Sequence, residues 1–338
     1  MNWMRPFIVD PRPPRVEAAP ASSVVGCAVL SGRGSSPLQR IALMAMGIAV
    51  LSWLVPTDAV AAKWRKQRCP KGGHLAGGHP PDKFERWCVK EIDGNYLRHG
   101  PYRSWHPNGY KRVFGQYHEG KKASLWQHWF NDGRKKSRGR YEAGKADGVV
   151  TEWYRSGATN RVTYFTTGQR HGRFTSWHEN GRKSDEGFFL KDKEHGHYTA
   201  WHQSGKTSRQ GDYHQGKQTG VWIEWHRNAN KKAEGNYFMG QEHGQVTVWH
   251  ENGRKEWQGS YRNGRKHGKF ETFYGNGQRE SQGSYDNDKR QGTYRTWYRN
   301  AAKAKSAIYV AGKLQGQVIE YYANGKPKLD SFMAAGNK

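Results

Sequence analysis

The residues with the most recognisable chemistry are histidines, cysteines and a recurring carboxylate. Sixteen histidines are present, and His178, His202, His226 and His250 stand 24 residues apart. Imidazoles in series could hold a metal or move protons. Zinc, however, needs every donor about 2 Å from one ion. If each period is a hairpin, these rings lie two strands apart, about 9.6 Å. The series therefore reads as rings that pack and hydrogen-bond, with a pH-dependent surface as the functional rival. Glu152, Glu224 and Glu320 also share one recurring position, with no candidate partner in a unique stretch. Catalytic groups usually stand once and off-pattern, whereas nearly every polar residue here belongs to the pattern. No Gly-x-Ser-x-Gly, phosphate loop or dinucleotide fingerprint occurs. The expectation is a protein that is not an enzyme and takes no cofactor or metal.

One repeating stretch must position all of these side chains. His99–Lys121, HGPYRSWHPNGYKRVFGQYHEGK, recurs every 24 residues. From Trp105 the step reaches Trp129, Trp153, Trp177, Trp201, Trp225, Trp249, Phe273, Trp297 and Tyr321. From Gly100 it meets glycine everywhere except Ser124, and from Tyr117 it meets an aromatic ring up to Tyr309, then Met333. Ten copies fit without insertion or deletion, the signature of a repeat array.

Each copy reads as two short strands, 100–106 and 111–117, around Asn108-Gly109, a pair suited to a tight hairpin turn. A second turn is placed at Gly120-Lys121, Gly144-Lys145, Gly216-Lys217 and Gly312-Lys313. No crossover fits, so neighbouring strands must be antiparallel. Turning at Asn108-Gly109 sets Tyr102 opposite Gly115 and Gly100 opposite Tyr117. Turning at Gly120-Lys121 sets Gly115 opposite Trp126 and Tyr117 opposite Ser124. Each recurrent glycine should then lie between two rings. Alternation sends Trp105 to the other face, in a row Trp105, Arg112, Trp129, Lys136, Trp153 that allows cation–π contacts. The expected fold is all-β: an elongated single-layer antiparallel β-meander of tandem 24-residue β-hairpin repeats over residues 99–338.

These residues resemble MORN repeats in the variant form called MORN-2. The matching pattern is G-x-[aromatic]-x-x-W-[H/Y]-x-N-G-x-K, then G-x-[Y/F]-x-x-G-K. Bacterial proteins of this kind are often grouped with YwqK-type antitoxins, so the resemblance implies a YwqK-like antitoxin or immunity role, neutralising a toxin by surface binding, as one reading.

Ahead of the array, residues 1–40 carry Pro11, Pro13, Pro14 and Pro20 and no periodic apolar pattern, which reads as a disordered extension. Val24-Val25-Gly26-Cys27 resembles a lipobox but lacks a preceding apolar run. Residues 41–61 contain IALMAMGIAVLSWLV after Arg40, followed by Ala59-Val60-Ala61. Fifteen apolar residues with these flanks suit a signal peptide, with an uncleaved membrane anchor as rival, since a span needs about 20. Residues 62–98 read as a small cap. Its Cys69 and Cys88 are expected to form a disulfide in an exported chain. Cys2His2 zinc ligation with His74 and His79 is the alternative, though its spacing fits no finger.

Mean hydropathy is −1.05, yet 13% of residues are aromatic, which argues against disorder. Net charge is +27, a field that favours acidic partners. The reading is an exported scaffold at the periplasm or cell surface of a bacterium. It would bind a protein or an anionic envelope component, with possible membrane-surface contact. Export disfavours nucleic acid. A cell-wall glycan binder is a further rival, since other hairpin repeats rich in Gly, Trp and Tyr bind wall polymers. The expected binding surface comprises the exposed Trp105, Trp129, Trp153, Trp177, Trp201, Trp225, Trp249 and Trp297, with Lys121, Lys145, Lys217 and Lys313 in turns.

Overall fold

The computed structural model describes residues 67–333. The expectations for the 1–40 extension, its lipobox-like stretch and the apolar segment at 41–61 lie outside the described residues. Residues 68–333 belong to one compact unit. The described residues contain no helix and form 23 strands, β1–β23, in one sheet. The first are β1 (Gly73–Gly77), β2 (Glu85–Ile92), β3 (Asn95–Trp105), β4 (Lys111–His118), β5 (Lys121–Trp129), β6 (Lys135–Glu142) and β7 (Lys145–Trp153); the last is β23 (Pro327–Met333). Strands pair antiparallel with their chain neighbours, β1 on β2, β2 on β3, β3 on β4 and onward to β23, giving an open meander. β11 (Lys193–Glu194) and β12 (Gly196–Trp201) both pair with β10 (Lys183–Leu190), as one strand interrupted at His195.

The two turns of a repeat are each displaced by one residue from the sequence-based assignment. At the first, His106 N donates to Tyr110 O at 2.8 Å and Gly109 N donates to His106 O at 2.9 Å. Gly109 has φ +82°, while Asn108 is not left-handed. Pro107 and Asn108 are therefore the central residues of a type I turn, and Gly109 is the left-handed bulge residue that follows it. The pairing slips by one, so Trp105 faces Lys111 and not Arg112. At the second turn Glu119 (φ 49°) and Gly120 (φ 76°) are both left-handed, and His118 pairs with Lys121. This is the two-residue type I′ hairpin. Lys121 begins the next strand instead of occupying the turn.

The recurrent glycines separate into two kinds. Tyr102 faces Gly115, and Gly100 faces Tyr117, because a register shift between Ser104 and Trp105 restores the expected pairing beyond the tip. Tyr117, however, faces Lys122 and not Ser124, because β5 bulges beyond that point before Phe114 and Gln127 restore the original register. Of these two, the Gly115 kind lies against the core side chain of the next strand, a ring at Gly115 and Gly211 and valine at Gly139 and Gly235. A Cβ added at Gly115 would stand 2.3 Å from Trp126 Cδ2, and one at Gly211 2.3 Å from Trp222 Cδ2. The Gly100 kind serves the bulge. Gly196 and Gly220 have φ +74° and +66° with nothing within 4 Å of an added Cβ. The expectation that every recurrent glycine is sandwiched by rings therefore fails for this second kind. Its need is the left-handed backbone that a bulge imposes on one residue.

The core is a stripe along one sheet face. Tyr102, Trp126, Phe174, Trp222, Val246 and Phe270 occupy one position per repeat and are all buried. Tyrosines of the adjacent strand meet them edge-on, Tyr117 to Trp126 at 5.0 Å and Tyr213 to Trp222 at 4.9 Å between centroids. The indole N–H groups donate to backbone, Trp126 Nε1 to Gln116 O and Trp222 Nε1 to Asp212 O, both at 3.1 Å. Burying such a ring is worth about 1.5–3 kcal/mol, and each edge-on pair adds about 0.5–1.5 kcal/mol.

Candidate interaction surface

The hairpin tips are tied to one another by the recurrent histidines. His106 Nε2 lies 3.0 Å from Trp129 O, and His178, His202, His226 and His250 reach the corresponding carbonyls of Trp201, Trp225, Trp249 and Phe273 at 2.9–3.3 Å. Where the position holds tyrosine the hydroxyl donates instead: Tyr154 to Trp177 O and Tyr274 to Trp297 O, both 2.8 Å. The tip asparagines add a second tie, such as Asn108 Nδ2 to Asn131 O at 2.6 Å and Asn180 Nδ2 to Gln203 O at 2.9 Å. The sequence marked these asparagines only as turn formers. Their fixed 23-residue reach needs the neighbouring tip to be in place.

The tryptophan row lies on the face opposite the core stripe. Trp105 itself is 1% exposed, with the His79 ring tilted against it at 4.7 Å between centroids. Trp129, Trp153, Trp177, Trp201, Trp225, Trp249 and Trp297 are half-buried rather than exposed. Cations do cover this row, but from the position before the expected one. Lys111 lies over Trp129 at 5.9 Å, Lys183 over Trp201 at 5.6 Å and Arg279 over Trp297 at 5.4 Å. The expected Arg112 instead donates to Glu85 at 2.8 Å, a consequence of the one-residue slip at the tip.

Lys121, Lys145, Lys217 and Lys313 are exposed and have no ion-pair partner among the described residues. The stems of Lys121, Lys145 and Lys217 rest on the next type I′ turn. A Cβ at Gly144 would meet Lys121 Cβ at 3.7 Å, and one at Gly168 would meet Lys145 Cβ at 3.2 Å. The stems cover the neighbouring turn and the ammonium groups stand in water.

Titratable groups elsewhere are held by local structure. Burial pushes Glu271 up, but Gln258, Lys269 and Arg279 outweigh it and leave its carboxyl below the usual range. Burial raises the tyrosines of the core stripe, Tyr198, Tyr213 and Tyr237 among them. Cys69 and Cys88 are joined by a disulfide, with Cα atoms 5.5 Å apart, so they are not ligands beside His74 and His79. No cluster of three or more His, Cys, Asp or Glu that could hold a metal occurs among the described residues.

A groove of about 620 Å³ opens on the tryptophan face, lined by Ser124, Leu125, Arg138, Arg140, Val149 and Thr151. Both arginines are exposed. Cross-strand pairing sets Leu125 opposite Arg140 and Thr151 opposite Arg138. Sequence reasoning passed over this pair because it counted the recurring lysines, and these arginines do not recur.

A family model described as MORN repeat variant matches residues 266–287 and 314–332. The matches begin two periods apart, in the phase of the hairpins. Those two stretches are MORN repeats of this variant form. Hairpins of the same length follow in register along the rest of the sheet, from β3 to β23. No protein of curated function matches the chain. One solved structure, "Crystal Structure of TcdB2-TccC3-Cdc42", is 9% identical with a TM-score of 0.18, covering 78% of this chain and 17% of that one. The present chain thus spans under a fifth of that chain's length, and a likeness at this score supports no argument.

Proposed function

We propose that this MORN repeat protein is an exported, non-catalytic scaffold. It binds an acidic partner at the cell envelope, whether protein, anionic lipid or wall polymer, through the basic surface of its sheet. The observation that supports this reading best is the set of turn-flanking lysines: Lys121, Lys145, Lys217 and Lys313 are exposed and unpaired among the described residues, on a chain of net charge +27. Their stems have a packing role, but that role would be served as well by an uncharged chain of the same length. Unneutralised charges in a row create a field that draws in an oppositely charged surface. The Cys69–Cys88 bond agrees with an oxidising compartment and hence with export.

The test is a pull-down from envelope extract, eluted with a salt gradient, comparing the wild type with a variant carrying Gln at those four lysines. Exposed charges are screened over about 8 Å at physiological ionic strength. The variant is expected to elute at lower salt with its sheet signal intact. Unchanged elution would make the lysines a solubility device only.

A further inference from the structure

The groove at the second and third repeats departs from the array in three ways. First, Arg138 and Arg140 are alternate residues of β6, so both point to the tryptophan face, about 6.8 Å apart along the strand. No other repeat carries two cations at these positions; the equivalents include Phe114 with Gln116, Val162 with Tyr164 and Gln258 with Ser260. Second, neither guanidinium has a hydrogen-bond or ion-pair partner among the described residues. The groove lining contains no carboxylate, although Arg140 also lines the adjoining groove, which carries Glu119 and Glu142. Like charges side by side on a sheet face repel, so the pair is unfavourable until an anion joins it. Third, Ser124, at the groove wall, is the one copy without glycine at the bulge position, and it holds φ +58°. A side chain is thus retained where a left-handed backbone disfavours one.

From these features, and resting on the reading of a scaffold for acidic partners, we propose that the groove is a binding site for an extended acidic peptide segment. Alternate residues of an extended chain lie on one side at the same spacing of about 6.8 Å as Arg138 and Arg140. Two carboxylates at i and i+2 therefore meet both guanidinium groups at once, each by a charge-assisted bidentate contact. Leu125 and Val149 flank Arg140, and Val149 is 42% exposed. The next same-side residue of the peptide is therefore aliphatic, laid on that apolar floor. Ser124 Oγ supplies a hydrogen bond at the wall.

The experiment uses the full chain and two fluorescently labelled peptides of equal composition. One is Ser-Glu-Ser-Glu-Ser-Leu-Ser; the other has its glutamates adjacent, Ser-Glu-Glu-Ser-Ser-Leu-Ser. Anisotropy titration at low salt should give tighter binding for the alternating peptide. R138Q/R140Q should weaken that binding about tenfold or more, a loss of about 1.4 kcal/mol. R227Q/R295Q removes the same charge from exposed positions elsewhere and should leave the peptide preference intact. Equal affinity for the two peptides, or equal loss in both double variants, overturns the site. If R138Q/R140Q instead releases phosphatidylglycerol vesicles and not the peptide, the groove is a membrane contact and the peptide assignment is wrong. Failure of the four-lysine variant to shift envelope elution would sink the broader scaffold reading independently of these outcomes.

Discussion

At the scale of single residues, the repeat uses glycine for two unrelated physical reasons. Gly211 sits beneath the Trp222 ring, where an added Cβ would stand 2.3 Å from the indole. Gly220 sits in open space with φ +66°. Gly211→Ala should therefore cost about 1–3 kcal/mol by overpacking. Gly220→Val should cost about 1–2 kcal/mol through left-handed strain. Gly220→Asn should be milder than either, because asparagine tolerates that backbone. Denaturant unfolding of the three variants checks the ranking, and a harmless Gly211→Ala would remove the ring contact from the account. The Gly115 kind was legible in sequence because the irregularity between Ser104 and Trp105 offsets the one-residue slip of the turn, so that Tyr102 still faces Gly115. The Gly100 kind was not legible as a bulge. Its recurrence shows that a side chain is excluded, but a packing ring and a positive φ exclude it equally well on paper.

The elements are strands of nearly constant length, and their identity follows from alternation and turn spacing. Turn type was harder to read. Asn-Gly suits either a two-residue type I′ hairpin or a type I turn with a glycine bulge, and only the backbone of Asn108 distinguishes them. That one-residue difference moves the cation over Trp129 from the expected Arg112 to Lys111. The tip ties were half visible: the histidine ladder was expected to hydrogen-bond, but its interchange with tyrosine and its carbonyl acceptor appear only once the tips are stacked. One tip lacks the donor. Phe130 occupies the position of His106 and Tyr154, and its ring is instead flanked by Lys136 at 5.8 Å and Arg155 at 5.2 Å. By the pattern of the other repeats, Phe130→Tyr should place a hydroxyl on Trp153 O. The gain expected is about 0.5–1.5 kcal/mol, the net worth of one hydrogen bond, seen as a higher melting temperature. A lower one would show that the cation contacts to Phe130 matter more than the missing tie.

For the whole molecule, the decisive property is that each strand pairs only with its chain neighbours, apart from the β10–β12 junction. Stability in such an array is a sum of nearest-neighbour terms, and a perturbation at one end need not travel. The 24-residue period made this legible, because ten copies in phase leave no segment for a long-range connection. The arginine groove was not legible for the complementary reason, that a repeat consensus hides whatever occurs once. The Cys69–Cys88 bond offers a direct test of locality. It ties residues just before β1 to β2, and Cys88 is 1% exposed. Replacing both cysteines with alanine should expose the amides of β1 and β2 to hydrogen exchange. Tyr102, Trp105 and the strand β3 that carries them should lose part of their protection, because β2 pairs with that strand. Strands from β7 onward should exchange as in the wild type. Loss of protection spreading evenly to β23 would mean that the sheet folds as one cooperative body, and the additive account of its repeats would have to be abandoned.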